Sequence, residues 1–292
     1  MPYRKPKSRK AGRSPRRRPA SDASTKRLAW ILAALMAAVV TYLVASAKKA
    51  PENVQNFNGN LCAVETRPGL PETILDYRGM TVSFNPETHQ PNWVSWELLE
   101  SEASGQVARA SQFAPDPDVE GCPSLNDYRR SGYDRGHMAP AGDMKWDEEA
   151  MQQSFLLTNV CPQAGDLNRG AWQNLEEKCR QRARADSAVV IVCGPVFLPG
   201  EAVERIGTSG VAVPRRFFKV ILSPYTDPPV AIGFIMPNGY VKGGMQTCAV
   251  SVDSVESLTG HNFFSALPDD IEKRVESECD FNRWSRISRK HK

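Results

Sequence analysis

The amino-acid sequence predicts a mixed α+β domain of roughly 220 residues, preceded by one transmembrane helix. Two observations predict the domain: short apolar runs bounded by Gly or Pro alternate with segments whose apolar residues follow helical spacing. A third observation predicts the transmembrane helix, because one long run near the N-terminus contains no charged residue. The 292-residue chain has ordinary apolar and charged fractions, so it can bury a sizeable core.

Residues 1–27 are predicted to form a disordered basic tail. This segment holds eleven of the 37 Lys and Arg residues, its only acid is Asp22, and it has almost no large apolar residues. The remaining chain has 26 basic residues against 32 acidic ones. Bulk charge beyond the tail therefore does not favour nucleic acid, and any attraction for phosphate has to be local.

Residues 28–47 are predicted to cross a membrane. The run LAWILAALMAAVVTYLVASA, Leu28 to Ala47, has twenty residues and no charge, which is long enough for a helix to span a bilayer. The basic tail before it should stay in the cytoplasm, so the rest of the chain is expected on the periplasmic or extracellular side. Ala45-Ser46-Ala47 also fits a signal-peptidase site, which leaves a cleaved signal peptide and secretion as the alternative to a signal-anchor.

The chain beyond this segment divides into a linker at residues 48–70, a folded domain at 71–285 and a basic C-terminal tail at 286–292. The strands of the central sheet are predicted at Met80–Phe84, Trp93–Leu98, Ala188–Cys193, Phe217–Leu222 and Val230–Ile235. Helices are predicted at Asp147–Ser154, about Gly170–Ala185, Val252–Leu258 and Asp269–Glu276.

A cluster of polar residues among turn formers, Tyr133 to Asp143, holds the strongest candidate for chemistry. The chain has four histidines, and a neutral imidazole is the side chain best able to take a proton from water near neutral pH. His89 falls in a turn, His291 lies in the basic tail, and His261 has a setting more typical of a structural histidine. His137, inside the polar cluster, is therefore the predicted general base.

A second polar cluster, Asn159 to Glu176, offers ligands for a metal ion. Asn168 stands where a helix should start, and Glu176 lies eight residues later. In a regular helix these two side chains would be about 12 Å apart along the axis, too far to grip one bare ion closely. An Asn carbonyl with a more distant carboxylate instead suits a Mg²⁺ that keeps most of its water, with Glu176 holding one of those waters.

Three motifs in order carry a resemblance to a known family: DRGH at 134–137, NVCPQ at 159–163 and DLNRGAWQNLE at 166–176. They resemble the DNA/RNA non-specific endonucleases, a family of ββα-metal fold that includes secreted bacterial nucleases and the mitochondrial endonuclease G group. The resemblance covers residues 75–280. It implies a central, mostly antiparallel sheet flanked by helices.

The resemblance also implies an activity, a cofactor and partners. The enzyme would hydrolyse DNA and RNA phosphodiesters with little regard for sequence and leave 5′-phosphate and 3′-hydroxyl ends. The cofactor would be Mg²⁺, with Mn²⁺ as a substitute. Relatives are often homodimers, and the endonuclease G group makes a mitochondrial location an alternative to the periplasm.

Site residues follow from the resemblance position by position. His137 matches the family's general base, Asn168 its direct Mg²⁺ ligand, and Glu176 the carboxylate that binds metal-coordinated water. Arg109, in the segment GQVARASQFAPDP, matches an arginine that clamps the phosphate, a task suited to planar bidentate contacts. Supporting roles fall to Asp134 and Arg135, which organise the motif, and to Asn159, which supports the metal region.

All seven cysteines lie beyond the apolar segment, where an oxidising compartment would favour disulfides. Their odd number leaves at least one unpaired within a monomer, and the pairing cannot be worked out from the spacing. The resemblance to secreted relatives favours a bridge between Cys248 and Cys279.

Two alternatives to a non-specific nuclease stay open. A membrane-tethered nucleic-acid-binding protein without activity would keep the fold but should lack His137, Asn168 or Glu176. A nuclease restricted to one type of nucleic acid would keep all three. Every predicted contact addresses phosphate or its metal, and such contacts position a backbone without reading bases. This favours the non-specific enzyme.

Overall fold

The computed structural model describes residues 59–287. The strands within this range are, in chain order, β1 Val64–Glu65, β2 Thr73–Asp76, β3 Thr81–Asn85, β4 Gln90–Leu99, β5 Asp134–His137, β6 Val160–Gln163, β7 Ala188–Val196, β8 Glu204–Ile206, β9 Val211–Val213, β10 Arg216–Ser223, β11 Val230–Pro237, β12 Ala249–Val250 and β13 Asn262–Phe263. The helices are α1 Leu125–Tyr128, α2 Glu148–Ser154, α3 Gln173–Asp186, α4 Val252–Thr259, α5 Asp269–Ser277 and α6 Phe281–Ser285.

Seven of these strands form one sheet, in the order β12-β11-β10-β7-β4-β3-β2. Each neighbouring pair in it is antiparallel. The five strands predicted from apolar runs are β3, β4, β7, β10 and β11, so the predicted central antiparallel sheet is confirmed. The edge strands β2 and β12 were not predicted, because they are short and lack a continuous buried face.

The sheet is buried on both faces, because successive side chains of its central strands point to opposite sides. Every residue of β7 is buried. Ile191 belongs to the core beneath α3, together with Leu175 of that helix. Val192, the next residue, belongs to the core beneath α4 and α5, together with Val255. The sheet is therefore the middle layer between two groups of helices.

Local capping sets the ends of the predicted helices. The carboxylate of Asp147 accepts the N–H groups of Glu149 and Ala150 at 2.8 and 3.0 Å, so α2 begins at Glu148. Ser251 caps α4 in the same way, and Gly260, in the left-handed conformation, ends it. All four predicted helices are present, with boundaries close to those expected.

The helix expected from about Gly170 begins later than predicted. Leu167–Trp172 form a π-helical segment in which Gly170 has φ −114° and ψ −112°, outside the helical region. The regular helix α3 starts only at Gln173. The separation calculated for Asn168 and Glu176 on one ideal helix therefore does not apply to this chain.

The linker predicted at residues 48–70 extends too far along the chain. Leu61 is buried, and Val64 in β1 pairs with Phe263 in β13. Thr66 accepts the indole N–H of Trp93 at 2.8 Å. The packed domain therefore begins before residue 71. The earlier start of the domain could not be predicted from the local sequence, because residues 61–66 pack against residues far along the chain.

The disulfide expected between Cys248 and Cys279 is not formed. All seven cysteines lie within residues 59–287, and all are free thiols. Cys248 is half-buried at the end of a short 3-10 segment, whereas Cys279 is exposed between α5 and α6. The expectation was wrong because it rested on the family resemblance, and no spacing in this chain enforces the bridge.

Several predictions fall outside the described residues: the tail at 1–27, the transmembrane segment Leu28–Ala47, most of the linker and the last residues of the C-terminal tail. Within residues 59–287, no helix combines the length and the apolar character needed to cross a bilayer.

His261 makes the stability of the domain depend on pH. It is buried, and its Nδ1 accepts the backbone N–H of Arg67 at 3.1 Å. Burial, with the charge of Arg67 acting in the same direction, lowers the pKa of His261 from 6.5 to about 4. The unfolded chain therefore binds the proton first, so stability present above pH 6.5 is lost as the pH falls towards 4.

We expect acidification from about pH 7 to about pH 5 to lower the free energy of unfolding by about 2 kcal/mol through His261. His261→Gln, which retains an acceptor for Arg67, should show a smaller loss over the same range. Urea unfolding followed by tryptophan fluorescence at the two pH values measures this. Equal losses in wild type and variant would contradict the assignment.

Candidate active site

The strand pair β5–β6 and the helix α3 position the predicted site. β5 is the DRGH motif itself, and it pairs antiparallel with β6. Gly136 suits this close pairing, because a Cβ at that position would lie 2.6 Å from Cβ of Gln163, an atom fixed by the backbone of β6. The chain runs from β6 through the π-helical segment into α3. Two strands and a helix therefore form the ββα element that the resemblance implies.

Asn159 fixes the backbone immediately after His137. Its Nδ2 donates to the carbonyl oxygens of Ala139 and Ser154 at 2.9 and 2.8 Å. Its Oδ1 accepts the N–H of Ala139 at 2.9 Å, and its own carbonyl accepts the N–H of Met138 at 2.9 Å. Asn159 is completely buried. It therefore holds the backbone at the end of β5 from beneath and does not face the cavity.

The ring of His137 packs in a triangle with the rings of Phe113 and Phe155, and the three centroid distances are 4.8–4.9 Å. His137 is buried, and its Nε2 has no hydrogen-bond partner among the described residues. Burial, reinforced by the charge of Arg109, lowers the pKa of His137 from 6.5 to about 3. The imidazole is therefore neutral at physiological pH and able to accept a proton.

A guanidinium group covers each of these phenylalanine rings. Cζ of Arg109 lies 5.0 Å from the centroid of Phe155, and Cζ of Arg135 lies 4.8 Å from that of Phe113. Both arginines are exposed, and neither forms an ion pair within residues 59–287. Stacking orients the planar groups without using their N–H donors, which stay free for an anion.

Asp134 orients the amide of Asn168. Nδ2 of Asn168 donates to Oδ2 of Asp134 at 3.0 Å, and Arg169 forms an ion pair with the same oxygen. Because a carboxylate oxygen only accepts, this hydrogen bond identifies the nitrogen end of the amide. Oδ1 of Asn168 is thereby left for another partner, such as a cation.

A group of buried charges lies behind the site. Lys219 on β10 is 1% exposed, and its Nζ lies 4.3 Å from the ring centroid of Trp172 and 5.1 Å from that of Trp96. Asp143 is fully buried, pairs with Arg180 at 2.8 Å and accepts the indole N–H of Trp96 at 3.1 Å. Each buried charge therefore has a partner that compensates its loss of hydration.

Glu176 is half-buried in front of this group. Burial raises the pKa of Glu176 to about 7, with Lys219 acting in the opposite direction and Asp143 in the same one. When a carboxylate is buried in this way, a cation bound nearby stabilises its ionised form. Together with Oδ1 of Asn168 it forms an oxygen-only donor set, which is the type that Mg²⁺ prefers. The residues present therefore fit a hydrated divalent cation.

One cavity of about 600 Å³ brings the predicted residues together. Six of the seven predicted site residues line it: Arg109, Asp134, Arg135, His137, Asn168 and Glu176. Asn159, the seventh, lies behind the wall.

Four side chains of the site were missed by sequence reasoning: Phe113, Phe155, Arg180 and Lys219. The two phenylalanines resemble ordinary core residues, and Arg180 resembles a solvent-facing residue of a helix. Lys219 carried a usable signal, because it is a charged residue inside the apolar strand sequence RFFKVILS. A lysine in a strand that is buried on both faces needs a partner in the core.

The chain resembles known nucleases in sequence and in structure. A family model described as DNA/RNA non-specific endonuclease matches residues 57–270. Nuclease 1, mitochondrial, from Schizosaccharomyces pombe is 34% identical over 264 residues, covering 81% of this chain and 80% of that protein. Nuclease C1 from Cunninghamella echinulata is 36% identical, covering 68% of this chain and 86% of that protein. Human mitochondrial nuclease EXOG is 35% identical, and the match spans 61% of its length.

The fold is shared as well. A crystal structure of EndoG in complex with EndoGI superimposes with a TM-score of 0.65 at 31% identity, covering 69% of this chain and 89% of that one. The family match spans well over half of the chain and includes every residue of the site just described. The chain is therefore an endonuclease that belongs to the DNA/RNA non-specific endonuclease family.

Proposed function

We propose that this endonuclease hydrolyses phosphodiester bonds of both DNA and RNA with Mg²⁺, without strong sequence preference, and leaves 5′-phosphate and 3′-hydroxyl ends. One observation carries the proposal. A neutral imidazole, an amide oxygen beside a carboxylate, and two unpaired guanidinium groups converge on one cavity. Phosphodiester hydrolysis needs a base, a metal site and a phosphate clamp, and these groups are suited to the three tasks.

His137 is the general base of the proposed reaction. Its Nε2 is sealed from solvent, so Nδ1 is the nitrogen that takes the proton from the attacking water. As that proton leaves, the water oxygen bonds to phosphorus while the bond from phosphorus to the 3′-oxygen breaks. A bound phosphate would offset the charge of Arg109, which adds to burial in lowering the pKa of His137. Substrate binding thus strengthens the base.

Asn168 and Glu176 hold the metal in this proposal. Asn168 binds it directly through Oδ1, and Glu176 accepts a hydrogen bond from a metal-bound water. Asp134 keeps the amide of Asn168 oriented for this role. A Mg²⁺ ion held by these residues would supply Lewis-acid stabilisation of the charge that develops on the phosphate and on the leaving 3′-oxygen, and Mn²⁺ could substitute for it.

Arg109 and Arg135 clamp the phosphate and account for loose sequence preference. Their exposed guanidinium groups can form paired hydrogen bonds to phosphate oxygens. Phe113, the aromatic residue that lines the cavity, is already covered by Arg135. The proposed contacts are therefore directed at the backbone of the nucleic acid and read no base.

We expect His137→Ala to reduce the initial rate of cleavage of plasmid DNA and of RNA by about 10²- to 10⁴-fold, the usual contribution of a general base. EDTA should stop cleavage of both substrates by the wild type. Rates are measured side by side on the two substrates, and thermal unfolding followed by circular dichroism checks that the variant is folded.

The outcomes separate the open alternatives. Cleavage of only one substrate by the wild type would establish a nuclease restricted to that nucleic acid. A folded His137→Ala variant with an unchanged rate would remove His137 from the role of base. Binding of both substrates without cleavage under any condition would support the nucleic-acid-binding alternative.

Asn168→Ala should raise the Mg²⁺ concentration needed for half-maximal activity by about tenfold or more, because the proposed direct ligand is lost. Arg109→Ala is the matched control in the same cavity. It should leave the Mg²⁺ requirement near that of the wild type but raise KM and weaken the salt dependence by about one charge. If the two variants exchanged these effects, the assignments of metal ligand and phosphate clamp would have to be exchanged too.

We also propose that Leu28–Ala47 is a signal-anchor that holds the nuclease domain on the non-cytoplasmic side. Relatives with mitochondrial names support a mitochondrial compartment as the alternative to a periplasmic or extracellular one. The full chain should stay in the membrane fraction after carbonate extraction and keep its basic N-terminal tail. A soluble mature protein that begins at Lys48 would show a cleaved signal peptide instead.

A further inference from the structure

Two acidic helix faces meet on the side of the sheet opposite to α3 and the catalytic cavity. Asp253 and Glu256, three residues apart, share one face of α4. Glu276 lies in the last turn of α5. One carboxylate oxygen from each of the three residues lies within 4.8 Å of the others. We call these three residues the remote carboxylate cluster, and the proposed nuclease mechanism makes no use of it.

Glu276 is the unusual member of the cluster. It is only 5% exposed, and its Oε1 has no hydrogen-bond partner among the described residues. Ile271 and Val275 on the same helix are buried and hold α5 against the sheet. A buried carboxylate oxygen without a partner is rare in folded proteins, and a water molecule, a proton or a bound ion would satisfy it.

The surroundings add negative charge and supply no compensating cation. Burial raises the pKa of Glu276 to about 9, and the nearby Glu256, Glu272 and Asp253 act in the same direction. Within residues 59–287, no Lys or Arg forms an ion pair with any member of the cluster. Lys273 and Arg274, the cations of α5, are exposed. The repulsion between the carboxylates is therefore not compensated by ion pairs within the described chain.

We propose that the remote carboxylate cluster binds a hard divalent cation of the Ca²⁺ type, at a site separate from the catalytic cavity. Its donors are carboxylate oxygens alone, which is the chemistry that Ca²⁺ and Mg²⁺ select. Glu276, Asp253 and Glu256 each supply one carboxylate oxygen, and Glu276 is the buried member of the three. Water fills the remaining coordination positions on the exposed side, beside Asp253.

Tolerance of longer bonds and irregular geometry favours Ca²⁺ over Mg²⁺. Bonds of 2.3–2.6 Å to Ca²⁺ let two of its ligand oxygens lie up to about 5 Å apart, whereas the shorter bonds to Mg²⁺ limit this separation to about 4 Å. The oxygens of the cluster, which lie within 4.8 Å of one another, need little movement to reach a Ca²⁺ ion. Ca²⁺ also accepts irregular coordination, which two packed helices can supply without a dedicated loop.

The bound cation ties α4 to α5. Both helices cover the same face of the sheet, and Val255 and Val275 belong to the same core. A cation that bridges their acidic faces would hold the two helices together, so the site is structural. Binding of the cation should therefore raise the stability of the folded protein, which can be measured.

The test compares thermal unfolding of the full chain, purified in mild detergent, in EDTA and in excess CaCl₂. The wild type is compared with Glu276→Gln, which keeps the shape but removes the charge. Glu120→Gln, in an exposed loop, is the matched control for loss of one acid. Neither substitution alters the catalytic cavity. Any change in Tm caused by Ca²⁺ binding in that cavity is therefore the same in both variants. Calorimetric titration with CaCl₂ counts the sites directly.

We expect Ca²⁺ to raise the Tm of the wild type and of Glu120→Gln by about 5 °C more than that of Glu276→Gln. In EDTA, Glu276→Gln should be about as stable as the wild type, because a carboxyl with a pKa of about 9 is protonated at neutral pH and the amide is neutral too. Calorimetry should find one site fewer in this variant. If Glu276→Gln fails to fold, Asp253→Asn, at an exposed position, replaces it in the same comparison.

Equal responses of Glu276→Gln and Glu120→Gln to Ca²⁺, with equal numbers of sites, would overturn the proposal. In that case Ca²⁺ does not displace the proton from Glu276, and the cluster binds no cation. A larger response of the wild type to MgCl₂ than to CaCl₂ would overturn the choice of Ca²⁺.

Discussion

The layer of buried charge beneath the catalytic cavity is the constraint on which the rest of the site depends. Asp143 and Glu176 sit where water is scarce, so their ionised forms need cations beside them. Arg180 supplies one from α3, and Lys219 supplies the other from β10. The ammonium group of Lys219 packs against the rings of Trp96 and Trp172. Helix α3 therefore has to pack on the sheet in one register to bring its charged residues close to Lys219. The packing of α3 on the sheet and the electrostatics of the site are therefore set together.

The fold was predictable where the signal is local. β7 and β11 are continuous apolar runs, β10 is apolar around Lys219, and capping residues mark the ends of α2 and α4. Prediction failed where distant residues decide the structure. Val64 forms a strand only because Phe263 lies beside it. The non-helical conformation of Gly170 interrupts a segment whose sequence otherwise favours a helix.

Within the site, the sequence motifs predicted the residues that belong to them. They did not predict residues from other parts of the chain that pack against the motifs. His137, Asn168 and Glu176 were named from their motifs, and the structure places all three on one cavity. Phe113 and Phe155 come from segments with no motif, so their packing against His137 was not predictable. Asn159 was predicted to support the metal region, but its four hydrogen bonds around the end of β5 could be identified only from the structure.

Three thiols, those of Cys161, Cys179 and Cys193, are buried within the core between α3 and the sheet. Burial raises the pKa of Cys179 to about 12 and that of Cys193 to about 11, so both remain protonated at neutral pH. Such groups react with an alkylating reagent only after the surrounding structure has opened. Cys279, which is exposed, reacts without any opening and serves as an internal reference. The three buried cysteines can therefore serve as natural probes of local unfolding. Their alkylation rates measure how often the core between α3 and the sheet opens.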